Sequence, residues 1–223
     1  IRNYIICYRI LKKVLPDIKV FCVRMCYPER GQRESLPMLS DIWSCNGKFE
    51  VYQAEKKKMA AKDIQKLFYT YTGCMAGYRP GSARSNTGVL PWHYDADGTF
   101  FWAYRWTGGD PFNDLDAGHR DWSPIARDVD GRLYTCTCWE GYREGIDDRK
   151  YIETCIKLAK EKKRDDILKE IEKIRTEYKA GKESEESQRT RGLDDFFVKL
   201  EDAGTLDIIR AKMVKWILEM KGQ

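Results

Sequence analysis

The chain is 223 residues long, 42% hydrophobic and 13% aromatic, with a formal net charge of +5. That length allows one large or two small domains, and that apolar content supports a packed core and excludes wholesale disorder. Residues 161–223 balance 15 basic against 15 acidic side chains, so the mild excess is spread through residues 1–160; a nucleic-acid-binding stripe is not expected, and no apolar run is long enough to span a bilayer.

Ile1–Leu15 reads as a helix, with Tyr4, Ile5, Tyr8 and Leu11 at helical spacing, closed by Pro16-Asp17. It opens without Met and in mid-element, which points to an N-terminal truncation. Ile18–Met25 is apolar and β-branched, a buried strand. Tyr27–Leu36 is a charged loop. Pro37–Ser44 reads as a second strand stopped by Asn46-Gly47, Glu50–Lys66 as a helix with basic Lys56, Lys57 and Lys58, and Leu67–Thr72 as a third strand. After a Pro80-Gly81 break, Ser82–Val89 is a short helix. Thr99–Trp106, an aromatic run ended by Thr107-Gly-Gly-Asp-Pro111, is the fourth strand. A Gly/Asp-rich loop follows, and Thr137-Cys-Trp-Glu140 has the spacing of a capping box that opens a long helix to Lys163. Asp165–Lys179, Leu193–Glu201 and Leu206–Met220 are further helices, separated by the solvated linker Gly181–Arg191.

Strands and helices alternating at roughly 20–35 residues favour parallel β/α units. Four strands are half of what an eight-stranded barrel needs. The expected fold is therefore α/β, a partial β/α barrel over 1–160 followed by a helical tail over 161–223.

In such a fold the site lies at the C-terminal ends of the strands. The residues expected there are Asp41, Trp43, Tyr69, Tyr71, Trp102, Tyr104, Trp106, Asn113 and Asp114. Aromatics beside a few carboxylates and an amide suit a sugar, whose rings present an apolar face and a rim of hydroxyls. Trp102, Tyr104 and Trp106 share one face of their strand, so they face the site together or pack into the core together. Asp41, placed where its strand ends, is the one catalytic carboxylate suggested by position. Glu140, Asp147 and Asp148 read instead as capping and helix-surface residues, the last two paired with Arg143. Eight cysteines without a Cys-x-x-Cys pair, and only two histidines, favour reduced buried thiols over a zinc site at Cys22/Cys26 or Cys136/Cys138. No nucleophile elbow, phosphate loop or dinucleotide fingerprint is present, and no cofactor is implied.

Gly88-Val-Leu-Pro-Trp-His-Tyr94, the run Phe100-Phe-Trp-Ala-Tyr-Arg-Trp106, Gly108-Gly-Asp-Pro-Phe-Asn-Asp-Leu-Asp116 and above all Trp139-Glu-Gly-Tyr-Arg-Glu-Gly-Ile-Asp-Asp-Arg-Lys-Tyr151 resemble the C-terminal part of bacterial glycoside-hydrolase-like barrel domains. These are similar to N-acetyl-β-galactosaminidase-type enzymes and cover roughly residues 12–160. The resemblance implies hydrolysis of N-acetylated glycosides assisted by the substrate's own acetamide, in a secreted or cell-envelope setting. The family's adjacent Asp-Glu pair is missing: this chain has no Asp-Glu dipeptide. The resemblance therefore assigns the general acid to a preceding half and leaves this chain the sugar contacts. The missing half, or a second copy, would complete the sheet. Two rival expectations are a non-catalytic carbohydrate-binding half-barrel and an intracellular interaction protein using the basic helix.

Overall fold

The structure, a computed structural model, describes residues 2–25, 40–46, 49–73, 80–104, 106–107, 109–110, 113, 116, 123–178 and 203–222. The chain is mixed α/β and divides into two compact units. The first comprises Ile1–Thr72 with Tyr94–Phe101, and the second Gly73–His93 with Trp102–Gln223. The expected loop at Tyr27–Leu36, the linker Gly181–Arg191 and the helix Leu193–Glu201 lie outside the described residues.

The first unit holds helix α1 (Arg2–Val14), strands β1 (Phe21–Met25) and β2 (Ile42–Asn46), helix α2 (Phe49–Ala60), strand β3 (Leu67–Gly73) and most of β4 (Gly98–Trp102). The sheet order is β1-β2-β3-β4. The first three strands are parallel, with Phe21 level with Ile42 and Ile42 level with Leu67. Contacts between the last two climb together: the Asp97 amide bonds the Phe68 carbonyl, Gly98 lies against the Tyr69 ring, and Tyr71 stacks on Phe100. So β4 runs alongside β3 in the same direction. Among the described residues the sheet is open, not closed.

Register partners share a face. Phe21, Ile42, Ser44, Leu67, Tyr69, Tyr71, Gly98 and Phe100 line one side; Trp43, Phe68 and Thr70, all buried, line the other. Helix α2 packs beside β2 with Phe49 and Met59 buried, and Phe49 meets Tyr94 at 5.1 Å. This helix ends at Ala60, six residues before its expected end. Asp63 takes a left-handed φ of 62°, its amide bonds the Ala60 carbonyl, and the Ile64 amide reaches back to Met59. That is the αL closure usually given to glycine.

The second unit is built on the long helix α5 (Thr137–Glu161). Helices α3 (Pro80–Thr87), α4 (Val89–His93), α6 (Asp165–Glu177) and α7 (Ala203–Lys221) pack around it. Ile152, Cys155 and Ala159 of α5 meet Val89, Trp92, Ile167, Ile171, Leu206, Ile209, Met213, Ile217 and Met220 in one core. Gly141 and Gly145 set the spacing of α3 on α5. A Cβ at Gly141 would strike the Pro80 carbonyl, and one at Gly145 would strike the Thr87 hydroxyl and the Arg84 carbonyl.

The loop expected between the fourth strand and α5 contains a hairpin, β5 (Ile125–Arg127) with β6 (Leu133–Thr135), antiparallel. Its turn closes through the Asp128 amide to Arg132, with Gly131 at φ 83°. The capping box also needs correction. Cys136 is the N-cap and makes no side-chain cap bond, Thr137 is already helical, and Glu140 pairs with Arg143 at 2.8 Å. The reason is that Cys136 is pinned by its amide to the Pro124 carbonyl, so the helix starts one residue sooner than the box requires.

Candidate functional site

Asp41 stands just before β2, at the N-terminal end of the strand. This corrects its expected place at a strand's end. The strand itself begins at Ile42 and not at Pro37. Its carboxylate accepts the Val20 amide at 2.8 Å and pairs with Lys12 at 2.8 Å, while its own amide donates to the Val20 carbonyl. Asp97, just before β4, repeats the arrangement. It accepts the Phe68 amide at 2.8 Å, pairs with Lys56 at 3.0 Å, and donates its amide to the Phe68 carbonyl. Each Asp thus anchors the entry to its strand, Asp41 on Val20 just before β1 and Asp97 on Phe68 of β3, and each is neutralised by a lysine from a helix. In parallel β/α architectures the N-terminal face serves stability and the opposite rim serves chemistry.

Burial works to raise the Asp41 carboxyl, but the Lys12 ammonium, the Val20 amide and Lys66 outweigh it and hold it below the ordinary aspartate value. Lys66 is held low, chiefly by burial, against the pull of Asp41. Asp41 is therefore an ionised clasp, unsuited to protonating a leaving group at neutral pH.

The other expected residues fall into the two units. Trp43 is buried on the face with Phe68 and Thr70, not on the rim. Tyr69 and Tyr71 lie on the opposite face; Tyr71 stacks on Phe100 at 5.5 Å, and burial raises its phenol. Phe21 also meets Phe100, ring to ring at 5.3 Å. In the second unit, Tyr104 and Trp106 are 60% and 45% exposed. The Tyr104 carbonyl accepts the buried Ser123 hydroxyl. Asn113 is exposed in a short turn, its amide on the Asp110 carbonyl, and the Asp110 amide is held by Asp116 at 2.7 Å. Asp114 and the Trp102 side chain lie outside the described residues.

Sequence reasoning missed Asp148. It is 2% exposed and not on the helix surface. Its carboxylate accepts Arg84 from α3 at 2.6 and 3.1 Å, and Arg210 from α7. Arg210 also bonds the Glu144 carboxylate at 2.6 Å and the Glu144 carbonyl at 2.8 Å, and Arg84 reaches Asp207 at 2.6 Å. Burial works to lower the Arg84 guanidinium, but Asp148 and Asp207 outweigh it and push it well above its ordinary value. The signal was available: Gly141, Gly145, Asp148, Ile152, Cys155 and Ala159 recur at three- and four-residue steps on the buried stripe of α5. Arg143 bonds Glu140 and Glu144, with Asp147 at 3.9 Å, and leaves Asp148 to the other two arginines.

Among the described residues no cluster could hold a metal ion, and no helix is long and apolar enough to cross a membrane. No protein-family model matches the chain, and no curated protein is similar to it.

Proposed function

We propose that this chain forms one arc of a β/α barrel of glycoside-hydrolase type, offering aromatic surface to an N-acetylated saccharide without supplying the general acid. The curl of the parallel sheet is the observation that carries it. Neighbouring strands lie about 4.8 Å apart, so a flat sheet would separate β1 from β4 by roughly 14 Å; the Phe21 and Phe100 rings are 5.3 Å apart. The stagger supports the same reading. Shear 8 over eight strands moves level positions by about one residue per strand, or roughly three across three intervals. Tyr69 lies against Gly98 and Tyr71 against Phe100, so Phe21 is level with Ala96, and its ring partner comes four residues later.

Tyr104 and Trp106 support the saccharide half of the reading. They follow β4 two residues apart, keep roughly half their surface in water, and suit stacking on a pyranose. The strongly held carboxylates, Asp41 and Asp148, each serve packing, which favours a contributing or binding role over an autonomous catalyst.

Titration with N-acetylhexosamine oligosaccharides, followed by tryptophan fluorescence, tests the binding. The wild-type chain should saturate and Trp106→Ala should weaken it. No fluorescence change and no signal on a glycan array would sink the saccharide reading. Hydrolysis of an aryl N-acetylhexosaminide by this chain alone would contradict the absence of the acid.

A further inference from the structure

Helix α1 (Arg2–Val14) turns by about 100° per residue, so its side chains sort into faces. Tyr8, Leu11 and Lys12 share one side and are half-buried. Lys12 is held there, with its ammonium on the Ile18 carbonyl at 2.6 Å and on Asp41 at 2.8 Å. Ile6 and Ile10 point the opposite way, and Val14 continues their row one turn on. These three are 46%, 58% and 68% exposed, and Leu15 and Ile18, just past the helix end, are exposed as well. A single apolar side chain in water needs no explanation, but a row of them along one element marks an interaction surface.

The charge on this helix has one sign. Arg2–Val14 contains no acidic residue, and the first along the chain is Asp17 in the turn that follows. Arg9 and Lys13, four residues apart, form an exposed row along one edge of the apolar stripe. Among the described residues neither pairs with a carboxylate. Like charges at that spacing weaken an isolated helix, and a negatively charged surface would reverse the effect.

We propose that α1 is an interfacial helix that rests on an anionic lipid surface. Ile6, Ile10 and Val14 enter the boundary between headgroups and acyl chains, and Arg9 and Lys13 meet the lipid phosphates beside them. The apolar row lies on one side only, and no described helix is long and apolar enough to cross a membrane; such a helix lies in the plane of the interface. The chemistry of the row favours lipid over a protein partner. Its side chains are all branched aliphatics, which suit acyl chains, whereas the core of a protein interface is enriched in aromatics, Met and Arg.

Flotation of the folded full chain with vesicles tests this. The chain should float with vesicles of phosphatidylcholine mixed with phosphatidylglycerol, float far less with phosphatidylcholine alone, and detach as salt rises. Ile10→Gln with Val14→Gln should weaken binding by about tenfold or more. Arg9→Gln with Lys13→Gln should erase the preference for phosphatidylglycerol. Ile208→Gln, which removes an equally exposed isoleucine from α7, should bind as wild type does. All these positions are exposed, and circular dichroism confirms that each variant keeps its helices. Absence of flotation with the mixed vesicles overturns the proposal, as does equal flotation of wild type and the Ile10/Val14 variant. A concentration-dependent dimer that Ile10→Gln with Val14→Gln disperses, without vesicle binding, would give the face to a second copy of the chain and overturn it too.

Discussion

The rings of Phe21 and Phe100 meet at 5.3 Å although two strands separate them in the sheet. Both belong to the face shared with Tyr71, and both are 39% exposed. Such a contact is open only to a sheet that curls toward that face. Ring pairs add about 0.5–1.5 kcal/mol beyond the area they bury. A double-mutant cycle of Phe21→Ala and Phe100→Ala, read by urea denaturation, should return a coupling in that range. Strict additivity would mean that the two strands never approach.

Asp41 links stability to acid. Its folded-state carboxyl lies below the ordinary value, so its contribution is complete above the unfolded pKa of about 4 and is lost as pH falls through the folded value. Wild type should therefore lose stability below about pH 4 more steeply than Asp41→Asn. The variant should be weaker at pH 7 and flatter in acid. Parallel curves for the two proteins would rule out the clasp.

Gly145→Ala separates helix propensity from packing. In an exposed helix the change stabilises by up to about 1 kcal/mol. Here the new methyl meets the Thr87 hydroxyl and the Arg84 carbonyl, and overpacking of this kind costs about 1–3 kcal/mol. The denaturation midpoint should fall; a rise would show that α3 does not lie against Gly145.

Asp148→Asn should destabilise by about 3–5 kcal/mol, because it leaves two arginines partly buried around a neutral amide. Glu140→Gln, which breaks an exposed i,i+3 pair with Arg143, should cost at most about 0.5 kcal/mol. Thermal unfolding of both variants checks the contrast, and equal shifts would remove Asp148 from the core.

For saccharide binding, Tyr104→Ala and Trp106→Ala should each raise Kd by roughly 3–10-fold, the equivalent of one lost stacking contact. The thermal stability of Tyr104→Ala should change little, since Tyr104 is 60% exposed. Unchanged affinity in both variants would move the site elsewhere.

Much of the architecture was legible because period and punctuation agreed. The run Leu67–Gly73 and the long helix α5 are strong local signals, and both formed nearly as read. What escaped was set by partners distant in sequence. The start of β2 moved to Ile42 because Asp41 spends its side chain on Val20, twenty-one residues away. Helix α2 stopped early because Asp63 adopts a conformation that its residue type only tolerates. The hairpin at Asp128–Gly131 had its Asp-Gly turn in plain view, but strands of three residues leave little period to count. Composition alone nominated Tyr69 and Tyr71 in the first unit, and Tyr104 and Trp106 in the second, as sugar-facing residues. It could not tell that Trp43 points into the packed side or that Asp148 is buried.

Helix α5 carries the stretch from Trp139 to Tyr151. Its two glycines and its buried aspartate record how closely two backbones approach and how three helices are joined. Substitution along that stretch is therefore limited by packing before any ligand is considered.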